Sequence, residues 1–255
     1  MNSSMENGKP SAVAFIDYEY WMYALLNEFR MEPDVVNWAE EVQESYEVTG
    51  FHFFGDFTQS AISKELGKIR QVSNQIIETK NSGDHLKKDF TDFIILDAIY
   101  QSTMFSNVDV YILFTGDGHF TSVAAFLKNR LHKKVVVYGV RESFSFALKQ
   151  AATEWFEIPS ERSIYIANYK PILKYIAYLN EHGDGFQPTF WNVIDAVADR
   201  TGTDRQTVQA SLRQLIDQEY ITQKLEWTNF HKQLKILKVD WEKAIADGIW
   251  DPDDE

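Results

Sequence analysis

Ser11-Ala12-Val13-Ala14-Phe15-Ile16-Asp17 is an almost unbroken apolar run that stops at a carboxylate. Such a run reads as a strand buried on both faces, the situation of a strand inside a parallel sheet. Val108-Asp109-Val110-Tyr111-Ile112-Leu113-Phe114-Thr115-Gly116 and the stretch 133–140 read the same way. Weaker strands are expected at 48–57, at 73–80, and at 154–159, where Pro159 ends the pattern. Helices are expected between them, at 18–47 (divided by Pro33), 59–70, 89–104, 119–130 and 143–152, with a polar loop at 81–88. Strands alternating with helices of 10–15 residues imply right-handed βαβ units, hence an α/β fold with a parallel sheet covered by helices on both faces.

From about residue 162 the pattern changes. A helix opens near Pro171 and stops at His182-Gly183, and a second is capped by Thr189 and ended by Gly202. A third starts at Thr203 or Asp204, with Val208, Leu212, Leu215 and Ile216 at helical spacing. Two short strands follow, then a helix over 241–247. Helix–helix–helix–hairpin in about 80 residues is similar to a winged helix-turn-helix. The expected organisation is a disordered 1–10, a first domain at 11–159, a linker at 160–167, a smaller domain at 168–247 and an acidic tail at 248–255.

Composition narrows the function. The 255 residues include no cysteine, which excludes disulfides, thiolate metal sites and a cysteine nucleophile. No apolar run approaches the ~20 residues of a membrane helix, and the N-terminus has no signal-peptide core, so a cytoplasmic protein is expected. With 25 basic and 38 acidic residues the net charge is −13, unlike a generic phosphate-backbone binder. Residues 1–159 carry 14 bases and 22 acids, 160–246 carry 11 of each, and 247–255 carry five acids and no base. Neither GxGxxG, a P-loop nor HExxH occurs.

Ligands of an open parallel sheet bind beyond the carboxyl ends of its strands. Asp17 ends the first strand, and Asp117 follows the strand at 108–114. Either acid alone reads equally well as a helix cap. In the helix at 89–104, Phe90, Phe93, Ile94, Asp97 and Ala98 fall on one stripe, which puts Asp97 on the expected apolar face; Asp89 is the expected N-cap. Asp92 lies five residues from Asp97, about 140° around the axis, so Asp92 is expected at the strand ends and Asp97 in support. Like charges ~4 Å apart at an effective dielectric of ~20 repel by roughly 4 kcal/mol. Such a cluster takes up protons or binds a cation, and oxygen ligands favour Mg²⁺ or Mn²⁺. A cation so held can activate water and stabilise a phosphoryl transition state.

The Val13-to-Glu19 stretch, the helix containing Thr91-Asp92 and Asp97-Ala98, Phe114-Thr115-Gly116-Asp117-Gly118 and the following strand together resemble the NYN domain. These are PIN-like nucleases, and the likeness is to the LabA-like branch. The resemblance implies a Rossmann-like sheet, a Mg²⁺- or Mn²⁺-dependent ribonuclease site, and RNA as the usual substrate, expected here to be single-stranded. Asp17, Asp92 and Asp117 match its metal-site acids and Asp97 a further acid. Three positions depart from it: Tyr20 stands where Asn is frequent, His119 where a further Asp is common, and Thr153 where Asp is frequent. His119 reads either as a ligand or acid/base group, with preference shifted toward Mn²⁺, or as the mark of a degenerate site. Tyr20 reads as a base-stacking residue or as packing, and Ser143 as a helix cap or phosphate contact.

In the C-terminal part, Arg205, Gln206, Gln209 and Arg213 lie off the apolar stripe of the third helix, and Lys224, Lys232 and Lys235 lie on the hairpin. They suit nucleic acid, DNA or RNA, and equally a solvated face that binds protein. The expected function is metal-dependent ribonuclease. The alternatives are a catalytically degenerate NYN-fold regulatory module binding nucleic acid or protein, and a phosphatase of small phosphoesters. A homodimer is a further expectation.

Overall fold

The computed structural model describes residues 8–79, 87–182, 186–227 and 233–251, with the side chains of 87–89 set aside. The expectations for 1–7, for most of the polar loop at 81–88, and for Gly183, Lys232, the Asp89 side chain and 252–255 lie outside the described residues. The chain divides into two compact units, Met1–Ile158 and Pro159–Glu255.

The first unit runs β1 (Ser11–Asp17), α1 (Tyr18–Phe29), α2 (Val35–Ser45), β2 (Glu47–Gly55), α3 (Ser60–Ser63), α4 (Leu66–Val72) and β3 (Ile76–Glu78). It continues with α5 (Lys87–Phe105), β4 (Val110–Phe114), a 3-10 turn (Gly118–Phe120), α6 (Thr121–Asn129), β5 (Lys134–Val140), α7 (Phe146–Ala151) and β6 (Glu154–Ile158). The strands form one sheet in the order β3-β2-β1-β4-β5-β6, with every neighbouring pair parallel. This is the doubly wound order, and its direction reverses between β1 and β4.

Strand alternation divides the core. Ala12, Ala14 and Ile16 of β1 face a cluster with Trp21, Trp38 and Phe114. Val13 and Phe15 face the other side, with Ile95, Ile99, Leu113, Phe120 and Leu127. Successive side chains of a strand point to opposite faces, so a strand apolar at every position fills both layers. Each fully buried side chain of this kind contributes roughly 1.5–3 kcal/mol. The Trp21 ring stacks on Phe114 with centroids 4.0 Å apart, holding α1 against β4.

The second unit contains α8 (Glu161–Ala167), α9 (Tyr169–His182), α10 (Phe190–Thr201), α11 (Arg205–Asp217), the antiparallel pair β7 (Ile221–Trp227) and β8 (Gln233–Val239), and α12 (Trp241–Ala246). The stretch 160–167, expected as a linker, forms α8 instead: Ser160 caps it by accepting from the Ser163 amide, and Tyr165 packs on the unit's core. Asn192 accepts from the Thr189 amide at 2.7 Å at the start of α10, and Gly202 ends it at φ +69°. Asp204 caps α11 by accepting from the Gln206 and Thr207 amides. Thr189 also bridges Ile236, and Leu237 N–H donates to the Pro188 carbonyl, so the segment before α10 lies along β8.

Candidate metal centre

The sheet's reversal point opens between the ends of β1 and β4, and the two strand-end acids stand there. Asp17 is the N-cap of α1; its Oδ1 accepts from the Tyr20 amide at 3.0 Å. Asp117 caps the turn after β4; its Oδ1 accepts from the His119 amide at 2.8 Å. The capping reading holds for both acids.

Asp92 of α5 completes the group. His119 Nδ1 lies 3.2 Å from Asp92 Oδ2 and 3.3 Å from Asp117 Oδ1. Ligand atoms of Asp92, Asp117 and His119 all lie within 4.8 Å of one another. An octahedral ion with bonds of about 2.1 Å sets adjacent ligands about 3 Å apart. The observed spacings suit neighbouring positions of such a shell, and the donor set of two carboxylates and one imidazole suits Mn²⁺ better than Mg²⁺.

Asp17 lies near enough to this trio for the charges of Asp92 and Asp117 to act on it. It is only 7% exposed. Burial, opposed by the hydrogen bond from the Tyr20 amide and assisted by the charges of Asp92, Glu19 and Asp117, pushes its pKa up to about 7. Asp17 thus senses the cluster electrostatically and is not a member of the close trio.

Asp97 is a correction. It is exposed, and its Oδ2 accepts from Gln101 Nε2 at 2.7 Å. The face of α5 on the sheet is Thr91, Ile95 and Ile99, at four-residue spacing. Asp97 lies about 200° from Ile95 and about 200° from Ile99 around the axis, on the opposite side. Of the stripe read from the sequence as buried, Phe90, Phe93 and Asp97 are exposed, while Ile94 and Ala98 are half-buried against the core.

Tyr20 is a second correction. Its half-buried ring packs on the core rather than presenting a stacking face. Its hydroxyl donates to the Ser143 carbonyl at 3.0 Å and accepts from Val140 N–H at 2.8 Å. A Cβ on Gly116 would come within 2.1 Å of that hydroxyl and 2.3 Å of the Ser143 oxygen, so only glycine fits. Ser145 N–H donates to the Gly116 carbonyl at 2.9 Å. Tyr20 thereby latches the loop after β5 against the loop that carries Asp117 and His119. Ser143 does not cap α7; Ser145 holds that position, and the Ser143 carbonyl serves the latch. Thr153 is structural too: its amide donates to the Val135 carbonyl at 2.8 Å and its hydroxyl accepts from the Val135 amide at 3.1 Å.

Sequence reading missed Glu19, Asp56 and Glu78. Gln59 Nε2 donates to Glu19 at 3.2 Å and to Asp56 at 3.3 Å, while Glu78 accepts from Phe57 N–H at 3.2 Å. The strand-end rule, applied to β2 and β3, would have found Asp56 and Glu78.

In the second unit, Arg205 pairs with Asp195 at 2.7 Å, its guanidinium 5.7 Å from the Trp191 ring. Arg213 and Lys224 are exposed and Gln209 is half-buried. Arg200, which the sequence did not single out, lies 4.6 Å from the Tyr175 ring centroid.

The doubly wound parallel sheet, with acids at its reversal point, is a PIN-like α/β fold. The sequence profile of the NYN domain matches residues 11–159, and the chain belongs to the NYN domain family, a family of PIN-like nucleases that typically use divalent metals. Among solved structures, a protein of unknown function from Vibrio parahaemolyticus is similar, with 22% identity and a TM-score of 0.53. The match covers 62% of this chain and 98% of that one, and it supports the fold. No curated protein sequence matches. Among the described residues no helix is long and apolar enough to cross a membrane.

Proposed function

We propose that the first unit is a divalent-metal-dependent ribonuclease that hydrolyses phosphodiester bonds of single-stranded RNA. The observation that carries this reading is the convergence of Asp92, Asp117 and His119 at the reversal point of the sheet. These three residues would hold a Mn²⁺ or Mg²⁺ ion. When bound, that ion supplies a lowered pKa for water and charge stabilisation for the phosphoryl group. Asp17, whose carboxyl is pushed up to about 7 chiefly by burial, holds its proton about half the time at neutral pH, and when ionised it would add a negative charge to the group that would hold the ion. The Tyr20 latch keeps the Asp117 loop at fixed height against β5.

The second unit, with three helices, a hairpin and the 188–189 segment along β8, is read as a winged helix that positions nucleic acid through Gln209, Arg213 and Lys224. Arg205 contributes there only by leaving Asp195, a change that costs little because the pair is exposed.

One observation favours the degenerate alternative. His119 Nδ1 sits against both carboxylates, so an imidazolium could neutralise the cluster in place of a cation. Mn²⁺ titration monitored by electron paramagnetic resonance, run beside cleavage of a labelled single-stranded RNA, separates the two. The nuclease reading expects tight Mn²⁺ binding and cleavage, both lost in Asp117→Asn. Absence of both in the wild-type protein leaves the regulatory module.

A further inference from the structure

Helix α5 is apolar on two opposite sides, and only one packs on the sheet among the described residues. Thr91, Ile95 and Ile99 face the sheet. The outer side carries Phe90, Phe93, Asp97, Tyr100 and Met104, all exposed. Successive steps along that side are three, four, three and four residues, the spacing of a seam between paired helices. An outer helix face is ordinarily polar. Here Phe93 is 65% exposed, Met104 76% and the adjoining Phe105 86%, with Phe90 at 40% and Tyr100 at 39%. The Tyr100 ring lies 5.4 Å from Phe126 of α6, which widens the patch.

The chemistry of the patch selects its occupant. No Lys or Arg occurs between Lys88 and Lys128, so the seam offers nothing to phosphates and lacks the basic border of a lipid-surface helix. The exposed parts of its five large side chains amount to about three whole ones, roughly 600 Å² per copy at ~200 Å² each. Two copies face to face remove roughly 1,200 Å², the lower bound for a specific, stable interface. The stripe repeats its own spacing and is therefore self-complementary. Its single charge, Asp97, sits mid-stripe, where one polar residue fixes register while weakening the pairing.

We propose that the chain forms a homodimer through the outer face of α5, seam against seam, with Asp97 as the register residue. The proposal is independent of the nuclease reading.

Sedimentation equilibrium of the full chain between 1 and 100 µM tests it. The expected result is a discrete species of twice the 29.6 kDa chain mass at the upper end. Phe93→Glu, at an exposed position, should weaken the dimer at least 30-fold with unchanged circular dichroism. Asp97→Leu should tighten it at least tenfold, a gain that damage to the fold cannot produce. A chain monomeric at every concentration overturns the proposal, as does a dimer indifferent to Phe93→Glu. Polydisperse aggregates in place of a dimer, or a monomer whose melting temperature falls in Phe93→Glu because the chain's own second unit covers the seam, overturn it equally.

Discussion

Asp17 and Asp117 end adjacent strands and each caps the turn that follows, yet they stand in different media. Asp17 is closed off beneath α1 and its carboxyl is pushed up to about 7. Asp117 is partly open to solvent, shares its Oδ1 with the His119 amide, and faces the imidazole. The same local device, a carboxylate satisfying a helix start, gives a buried carboxyl with a raised pKa in one place and a carboxylate open to solvent beside an imidazole in the other. Burial, not residue type, divides the roles.

The sharpest break of that contrast is Asp117→Asn. It should weaken Mn²⁺ binding more than 100-fold, read by paramagnetic resonance, because a carboxylate facing the ion is lost. Next in size is Asp17→Asn. The raised pKa of Asp17 means its contribution to metal-free stability is full below pH 3.8 and is lost as pH rises through about 7. The metal-free wild type should therefore lose on the order of 2–3 kcal/mol between pH 5 and 9 from this group alone, while Asp17→Asn should not. Urea unfolding across that range reads the difference. Asp17→Asn should be the more stable protein at pH 9, whereas Asp117→Asn should show no such pH-dependent gain.

Tyr20→Phe comes third. It keeps the ring and removes the acceptor of Val140 N–H and the donor to Ser143. A cost of about 1–2 kcal/mol is expected from the amide left without a partner, with weakened Mn²⁺ binding because the Asp117 loop loses its stop. Unchanged ion affinity in a protein destabilised by that amount would confine the latch to a structural role. The smallest effect is Glu142→Gly in the latched loop. Glu142 sits at φ +67°, so glycine should stabilise by roughly 0.5–1 kcal/mol in thermal unfolding.

Much of this was legible in the residues, for identifiable reasons. β1 from Ala12 to Ile16 and the whole of β4 are apolar because both faces of the sheet are covered, and a strand of that kind has one interpretation. Their terminal acids were found by the rule that strand ends face ligands, which needs only topology. Helix α5 was misread because it is apolar on two sides. The stripes through residues 91, 95 and 99 and through 90, 93, 97 and 100 are both helical, and periodicity alone cannot say which faces the sheet. The latch was illegible for a different reason. The Tyr20 hydroxyl bonds residues 120 and 123 positions away, and no local pattern announces a contact of that separation. The glycine at 116 was visible, but the atom requiring it was not.

Gly116 is consequently pinned by two neighbours, the Tyr20 hydroxyl and the Ser143 carbonyl. Alanine cannot arise at 116 while a phenol fills the space its methyl would need. A lineage that shortens residue 20 loses the wedge between two loops and must find another way to close the gap. Shortening residue 20 clears only the hydroxyl, so the double variant Tyr20→Ala, Gly116→Ala should still suffer the clash with the Ser143 carbonyl, while the two single costs depart from additivity.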